Sequence, residues 1–297
     1  MKPLYKGTLA LLGSTLMYGS FGVLFRVIGF SIPIFYQAFF RALIATIITG
    51  IVILIWKQWQ SINKKVAWWI FWRTIIGVAA TLAFFTAVNN VAVGTTYFVF
   101  YGGSTIAGYV FGKFWFQEQL TRVKIVSLLL GLVGLALVYS VSSLSFSPIF
   151  LLLATTSGVF TAIWNIISKK IPEEHSAFQL TFIDSGLSFV LLAVISLVFR
   201  EAWVIPTFTA AWSAIALLGV FFALTGTLVV FGFRLLGAQL GSLVMLSEIV
   251  FALIFSFIFY REIPSGSTLM GGLLIMLAIA LPELPTKRLS FLYENRR

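Results

Sequence analysis

The sequence has no cysteine and a single histidine, His175, so it offers few ligands for a transition metal. Without cysteine neither a disulfide nor a thiolate site can form, and one imidazole is too few for a dedicated zinc site. Charged residues make up only 10% of the chain. Phosphate-binding loops, nucleophile elbows and zinc-protease motifs are also missing. These absences predict a protein without a cofactor or metal and argue against ATP-driven transport within this chain.

Long apolar runs dominate what is present. Hydrophobic residues make up 60% of the 297 residues, and the mean hydropathy is +1.04. A soluble protein needs more polar residues to cover its surface. A helix crosses a hydrocarbon core of about 30 Å in about 20 residues. On that measure there are ten candidate spans, near residues 7–27, 33–55, 67–89, 94–115, 122–140, 148–168, 177–199, 210–232, 238–259 and 266–281. The predicted fold is an all-α polytopic membrane protein.

The net charge of +11 at pH 7 could by itself suggest an anionic partner. The basic residues are, however, unevenly distributed between the predicted loops. With a cytoplasmic N-terminus and ten crossings, sixteen of them fall on the cytoplasmic side, and the outer side holds Arg26, Arg200 and Arg261. Such a bias follows the positive-inside rule. We therefore expect a multi-pass protein of the cytoplasmic (inner) membrane with both termini cytoplasmic, in contact with anionic lipid and not with nucleic acid.

The ten spans divide into two halves of five. A shift of 144 residues places Gly94–Lys124 on Ala238–Thr268 without a gap, and a shift of 143 aligns the earlier spans. Because five is odd, the second half must enter the membrane from the opposite face. The halves, residues 1–141 and 147–290, are therefore predicted to be inverted repeats. Such repeats place a substrate site near the midplane between them.

Two stretches share an apolar run, a glutamate, a short polar turn and a glycine-containing helix: FGKFWFQEQLTRVKIVSLLLGLVGLALV (111–138) and IFSFIFYREIPSGSTLMGGLLIMLAIAL (254–281). They resemble the drug/metabolite transporter superfamily in its ten-helix form, built from two EamA domains. Arg41 in the second span and Trp164 in the sixth match positions where that family often has an arginine and an aromatic residue. The resemblance covers nearly the whole chain. It implies a transporter, in particular an exporter of amino acids or related compounds.

The sequence departs from the family pattern at two pairs of positions. Thr105 and Ile249 stand where the family usually has a proline in the fourth and ninth spans. Gln117 and Arg261 stand where a glycine often precedes the glutamate.

Three ionisable residues, Arg41, Asp184 and Glu248, lie well inside the predicted spans, and every other charge is expected near a span end or in a loop. Intramembrane charges often mark substrate or ion pathways. Arg41 and Asp184 are equivalent under the shift of 143 and have opposite sign. Three arrangements remain open. The two residues form a structural salt bridge between the halves, or they act in transport by binding the charged ends of an amino-acid-like substrate or by separating as the halves rock. In the third arrangement they lie at different depths and never meet.

Glu248 occurs once in the duplicated pattern, because its equivalent under the shift of 144 is the neutral Ser104. A carboxyl group removed from water takes up a proton readily, which suits a proton carrier. An ionised one in a wet cavity would instead attract a cationic group of the substrate. A protonated glutamic acid hydrogen-bonded to a backbone carbonyl or to a neighbouring serine is the structural alternative. The neighbours of Ser104, Gly102 and Gly103, suit close helix packing or local unwinding beside a site.

Aromatic residues within the spans are candidates for the walls of a cavity. Six of them lie beside small or polar neighbours and could line a cavity and stack on a substrate, including by cation–π contact: Tyr18, Phe21, Tyr36, Tyr97, Tyr101 and Trp164. Because aromatic residues make up 16% of the chain, packing and lipid contact are the alternatives for each. His175 is expected to be a solvated loop residue.

The function predicted is secondary transport of small polar or amphipathic metabolites by alternating access, with export favoured and protons as a coupling partner. Uptake of a metabolite, drug efflux, facilitated diffusion and a passive channel or scaffold are the alternatives. A membrane-embedded enzyme acting on lipid-linked substrates is disfavoured because the buried charges lie on three different spans. The glycines of the fifth and tenth spans predict that these two helices pack on each other or on a second subunit, which leaves monomer and homodimer open. These are Gly131, Gly134, Gly271 and Gly272.

Overall fold

A computed structural model describes residues 3–29, 31–139 and 148–283. The predicted serine-rich linker at 140–148 lies outside these residues except for Pro148. The described residues form twelve α-helices and two short 3₁₀ turns, Ser168–Lys170 and Leu281–Glu283. In chain order the helices are α1 (Pro3–Gly19), α2 (Phe21–Ile28), α3 (Ile34–Trp56), α4 (Lys64–Val88), α5 (Val93–Phe116), α6 (Arg122–Tyr139), α7 (Pro148–Ile167), α8 (Ala177–Val198), α9 (Ala210–Leu236), α10 (Ala238–Met245), α11 (Ser247–Tyr260) and α12 (Gly266–Ala280).

Each of the ten predicted spans coincides with one of these helices or with two consecutive ones. Eight helical segments are long and apolar enough to cross a membrane, so this is a multi-pass membrane protein. The other two are α5, whose glycine, threonine and tyrosine residues lower its hydropathy, and α12, which has 15 residues. That α5 and α12 also cross the bilayer remains a prediction.

Two of the spans are broken. Ser20 separates α1 from α2, and its hydroxyl donates to the Met17 carbonyl at 2.6 Å. Leu246 separates α10 from α11, and the Ser247 hydroxyl donates to the Val244 carbonyl at 2.8 Å. Serine hydroxyls that bond back to the preceding turn compete with helical hydrogen bonds and bend helices. The ninth span is therefore broken although it lacks the proline usual in the family.

In contrast, α5 runs unbroken through Gly102-Gly103-Ser104. A Cβ atom on Gly103 would lie 3.0 Å from the Thr155 carbonyl oxygen of α7. Of the two roles expected for these glycines, the structure shows close packing and no local unwinding.

The helices pack in pairs that correspond between the two halves. Two pairs, α3 with α8 and α6 with α12, each join equivalent spans of the two halves. The first helix of the second half, α7, packs on α4 and α5 of the first half. Its equivalent α1 packs on α9 and α11, the corresponding helices of the second half. The α6–α12 contact brings backbones together, because a Cβ atom on Gly134 would lie 2.7 Å from the Gly271 carbonyl oxygen. The predicted close packing of these two helices is confirmed.

Non-glycine residues with positive φ follow the same correspondence. Lys57 (φ 52°) and Arg200 (φ 54°) are separated by the predicted shift of 143 residues, and Gln117 (φ 54°) and Arg261 (φ 56°) by that of 144. Left-handed backbone suits glycine best, since it costs other residues roughly 1 kcal/mol. Gln117 and Arg261 therefore adopt the conformation that explains the glycine usual at their positions in the family.

Hydrogen bonds and ion pairs between helix termini distinguish the two ends of the bundle. At one end the Glu118 carboxylate accepts from the backbone of α10, and Lys170 donates to the Trp115 carbonyl. At the other end Arg26 pairs with Glu262 at 2.5 Å. We call these the Glu118 end and the Glu262 end of the bundle.

His175 contradicts the expectation of a solvated loop residue. Its side chain is 1% exposed at the Glu118 end, with Nδ1 at 3.3 Å from the Gln179 side-chain oxygen. Its carbonyl accepts a hydrogen bond from Arg234 at 2.8 Å. The loop after α7 is tied down by this arginine, which the sequence pattern could not reveal.

Candidate functional site

A cavity of about 560 Å³ lies between the two halves of the bundle. It reaches Val93 and Ser256 near the Glu262 end, and Val93 is 58% exposed there. None of its lining residues belongs to the connections at the Glu118 end, so the cavity opens toward the Glu262 end. Nine of the ten residues proposed from the sequence line it: Tyr18, Phe21, Arg41, Tyr97, Tyr101, Ser104, Trp164, Asp184 and Glu248. Tyr36 does not, because its ring stacks on Phe39 and its hydroxyl donates to the Val204 carbonyl.

Glu248 lies in the first turn of α11, directly after the break at Leu246. The amide groups at a helix N-terminus favour a negative charge, so this position stabilises a carboxylate. The Tyr101 hydroxyl lies beside the Glu248 carboxyl group. Tyr101 belongs to a wall of near-parallel rings, with centroids 6.0 Å from Tyr97, which lies 6.3 Å from Tyr139.

Asp184 is fully engaged by partners on α4 and α7. Its carboxylate lies 2.6 Å from Nη1 of Arg73 and accepts hydrogen bonds from the Thr74 hydroxyl at 2.8 Å and from Nε1 of Trp164 at 3.0 Å. The Arg73 guanidinium also lies 4.3 Å from the centroid of the Trp164 ring. These four side chains form one group, which we call the Asp184 cluster.

Arg73 corrects the prediction that only three charges lie well inside the spans. Its side chain is 1% exposed, because α4 begins at Lys64 and carries Arg73 more than two turns into the bundle. The sequence contains a pattern that could have indicated that Arg73 is buried. Thr74, Gly77 and Thr81 follow Arg73 on one face of α4, and small or polar residues on one face of a span indicate a helix that faces a polar interior.

Arg41 does not pair with Asp184, so among the three arrangements considered from the sequence a salt bridge between them is wrong. Arg41 is 8% exposed, and its Nε atom has no hydrogen-bond partner. Among the ion pairs of the described residues none includes Arg41. Its guanidinium lies over the Phe25 ring, with Cζ 5.1 Å from the ring centroid. The cavity therefore holds one unpaired cation.

Close packing fixes two of the other lining residues. A Cβ atom on Gly77 would lie 2.7 Å from the Trp164 ring, so only glycine leaves room for the indole beside α4. Tyr18 packs edge to face on Phe21, with centroids 5.1 Å apart, and its hydroxyl lies near Thr225. Ser104 lies on α5, one turn after Tyr101, and adds a hydroxyl to the same wall.

The Glu118 end is closed by contacts between the halves. The Glu118 carboxylate accepts from the backbone N–H groups of Ala238, at 2.6 Å, and Gln239, at 3.0 Å. Lys124 donates to the Gln239 side chain at 2.7 Å. These bonds join α5 and α6 to the N-terminus of α10 and separate the cavity from that side.

At the Glu262 end the matching glutamate is exposed. Arg26 donates to Glu262 and lowers the pKa of that carboxyl group, and the Ser256 hydroxyl adds a further hydrogen bond. Across residues 3–29, 31–139 and 148–283, no group of three or more His, Asp or Glu side chains could hold a metal ion.

A family model described as the EamA-like transporter family matches residues 5–140 and again residues 148–282. Two similar proteins are pseudopaline exporters CntI of Pseudomonas aeruginosa, from strains PAO1 and UCBPP-PA14. Each is 21% identical over 240 residues, which is 81% of this chain and 82% of the relative. A protein of known crystal structure superposes with a TM-score of 0.79 at 18% identity, over 95% of this chain and 98% of that one, which shows the same fold. Since the family model covers nearly all of the sequence, the chain belongs to the EamA-like transporter family, within the drug/metabolite transporter superfamily.

Proposed function

We propose that this protein is a secondary transporter that exports small polar or amphipathic metabolites, such as amino acids or related compounds, across the cytoplasmic membrane. The observation that carries the proposal is the cavity between the halves, with an acid, an unpaired cation and aromatic walls. Pockets of this kind, mostly apolar with a few placed polar groups, bind small molecules. The family and the exporter activity named for the Pseudomonas relatives support the same class and direction.

The mechanism proposed is alternating access between two inverted repeats of five spans, residues 1–141 and 147–290. The corresponding helix pairs and the positive-φ residues that repeat at the predicted shifts support this division. With both termini cytoplasmic, the Glu118 end faces the cytoplasm and the cavity opens outward. Rocking of one repeat against the other would close the Glu262 end and open the Glu118 end.

Glu248 is the proposed coupling residue, and it accepts either a proton or a cationic group of the substrate. Its place in the first turn of α11 stabilises the ionised form, while its removal from bulk water favours the protonated form. A carboxyl group under opposing influences of this kind can change state during a transport cycle. Facilitated diffusion without protons, metabolite uptake and drug efflux would use the same cavity.

A thermal-shift screen of the purified protein tests the proposal at the level of binding. Amino acids, nucleosides, amines and polyamines are the probes. We expect one class to raise Tm by about 5 °C at saturation, because a ligand that binds only the folded protein stabilises it. Flux of that compound into proteoliposomes then measures transport. Failure of every binder to cross the membrane faster than in protein-free liposomes would contradict a transporter function.

A further inference from the structure

Arg41 stands out among the buried charges because nothing in the described residues neutralises it. The Asp184 carboxylate is bonded to Arg73, Thr74 and Trp164, and the Glu248 carboxyl group lies beside the Tyr101 hydroxyl. Burying a charge without a counter-ion is costly, and proteins accept that cost mainly where a ligand supplies the missing partner. Arg41 lines the cavity, so a ligand there can reach it.

We propose that Arg41 is the binding site for a carboxylate group of the transported compound. The inference rests on the proposed function and deepens it. A guanidinium offers a planar fork of N–H donors that matches the two oxygens of a carboxylate. The rest of the substrate then lies against the rings that line the cavity, among them Phe25, Phe84 and Tyr97. Glu248 remains available for an ammonium group or a proton, so the site suits a zwitterion with an apolar body.

The test compares three probes that differ only in their polar group: 3-phenylpropionate, its neutral amide and phenethylamine. Binding to the purified full chain is measured by thermal shift and by calorimetry. We expect 3-phenylpropionate to bind more tightly than its amide. Arg41→Gln should weaken binding of the carboxylate by at least about tenfold, the size of a charge-assisted hydrogen bond. Arg41→Lys should keep part of the preference, since it keeps the charge and loses the fork.

Ligand-free stability separates a ligand site from a structural role. If Arg41 is kept for a ligand, Arg41→Gln should fold with an unchanged or higher Tm, because it removes an unpaired buried charge. Unchanged carboxylate affinity in that variant would overturn the proposal, as would equal binding of the acid and the amide by the wild type. In either case, retained flux of another compound would leave the transporter function standing.

A second inference concerns the two glutamates at opposite ends of the bundle. Glu118 and Glu262 are equivalent under the shift of 144 residues. Glu118 caps α10 through the N–H groups of Ala238 and Gln239, and a Cβ atom on Gly237 would lie 2.7 Å from its Oε1. The residues of the first half that are equivalent to Ala238 and Gln239 under this shift are Gly94 and Thr95, in the first turn of α5.

At the open end this cap is missing. The residue that precedes α5, Ala92, provides no capping side chain, and Glu262 bonds Arg26 and Ser256. The first residue of α5, Val93, and Ser256 of α11 both line the mouth of the cavity. Closing the mouth would thus bring the end of α11 toward the start of α5.

We infer that the two caps alternate. When the Glu262 end closes, Glu262 leaves Arg26 and accepts from the first-turn N–H groups of α5, and Glu118 releases α10. Each glutamate then stabilises the state in which its own end is closed. Exchange of equivalent contacts keeps the two states close in free energy, which a transporter needs in order to cycle.

Single cysteines report this equilibrium, because the natural chain has none. Ser168→Cys lies at the Glu118 end, where Ser168 is 0% exposed, and Ala252→Cys lies in the cavity wall. In detergent we expect Glu118→Gln to raise the rate of maleimide labelling at position 168 by a factor of about 5, which corresponds to the free energy of one helix cap. The same substitution should lower the rate of labelling at position 252. Adding Glu262→Gln should lower labelling at 168 again.

Arg26→Gln is the control, because it removes the present cationic partner of Glu262 and leaves Glu262 itself unchanged. It should leave labelling at position 168 unchanged or slightly higher, since exposed ion pairs contribute little. If Glu262→Gln in the Glu118→Gln background behaves like Arg26→Gln, Glu262 has no cap in the other state and the inference is wrong.

Discussion

Replacing Glu248 with glutamine is expected to abolish transport driven by a proton gradient in proteoliposomes, while the protein still folds. Glutamine keeps the size of the side chain beside the Tyr101 hydroxyl and can accept a hydrogen bond through its amide oxygen. It cannot take up or release a proton or carry a negative charge. In the wild type we expect flux to change with pH and to respond to an imposed pH gradient. In Glu248→Gln both responses should disappear, and gradient-driven flux should fall to the level of protein-free liposomes.

Glu174→Gln is the matched control, since its side chain is 67% exposed in the loop after α7. It changes the same chemical group and should leave flux and its pH dependence intact. Normal, pH-sensitive flux in Glu248→Gln would eliminate Glu248 as the coupling residue. It would favour the structural alternative of a protonated, hydrogen-bonded glutamic acid.

The second large effect is expected in the Asp184 cluster. Arg73→Met leaves the Asp184 carboxylate without its cation, and Asp184→Asn leaves the Arg73 guanidinium without its anion. Removing one partner of a buried pair costs about 3–5 kcal/mol of unfolding free energy. The double variant should lose much less than the sum, because it leaves no uncompensated charge. Unfolding in mixed detergent micelles measures the coupling, which we expect to exceed about 2 kcal/mol.

Arg41 provides the comparison for this cycle. Arg41→Met and Asp184→Asn should combine additively to within about 0.5 kcal/mol, because Asp184 pairs with Arg73 and not with Arg41. Strong coupling of Arg41 to Asp184 and weak coupling of Arg73 would contradict the geometry of the cluster.

The fold could be predicted well because apolar length and charge bias are local properties of the sequence. Helix positions followed from runs of about 20 apolar residues. The family followed from loose motifs that matched jointly across the chain. The break at Leu246 could not be predicted, since it depends on the Ser247 hydroxyl, which bonds the Val244 carbonyl of α10 and also Thr15 of α1 at 2.7 Å.

The candidate site could be predicted as a set of residues but not as a set of partners. Buried charges and aromatic residues are conspicuous in apolar spans, and all of those chosen except Tyr36 line one cavity. Pairing depends on helix rotation, which a shift between repeats does not determine. Asp184 therefore pairs with Arg73, which the sequence pattern placed too near a span end. Arg41, the repeat equivalent of Asp184, has no ion-pair partner among the described residues.

The central claim is that the transported compound passes through this cavity, and blocking the cavity tests it most directly. Ser104→Cys places the only thiol of the chain on the cavity wall, and Thr207→Cys places it on an exposed loop as the control. A bulky maleimide at position 104 should stop flux of the compound found by thermal shift, and that compound should slow the labelling. The control should be labelled without loss of flux. Full flux through protein labelled at position 104 would show that transport does not use the cavity.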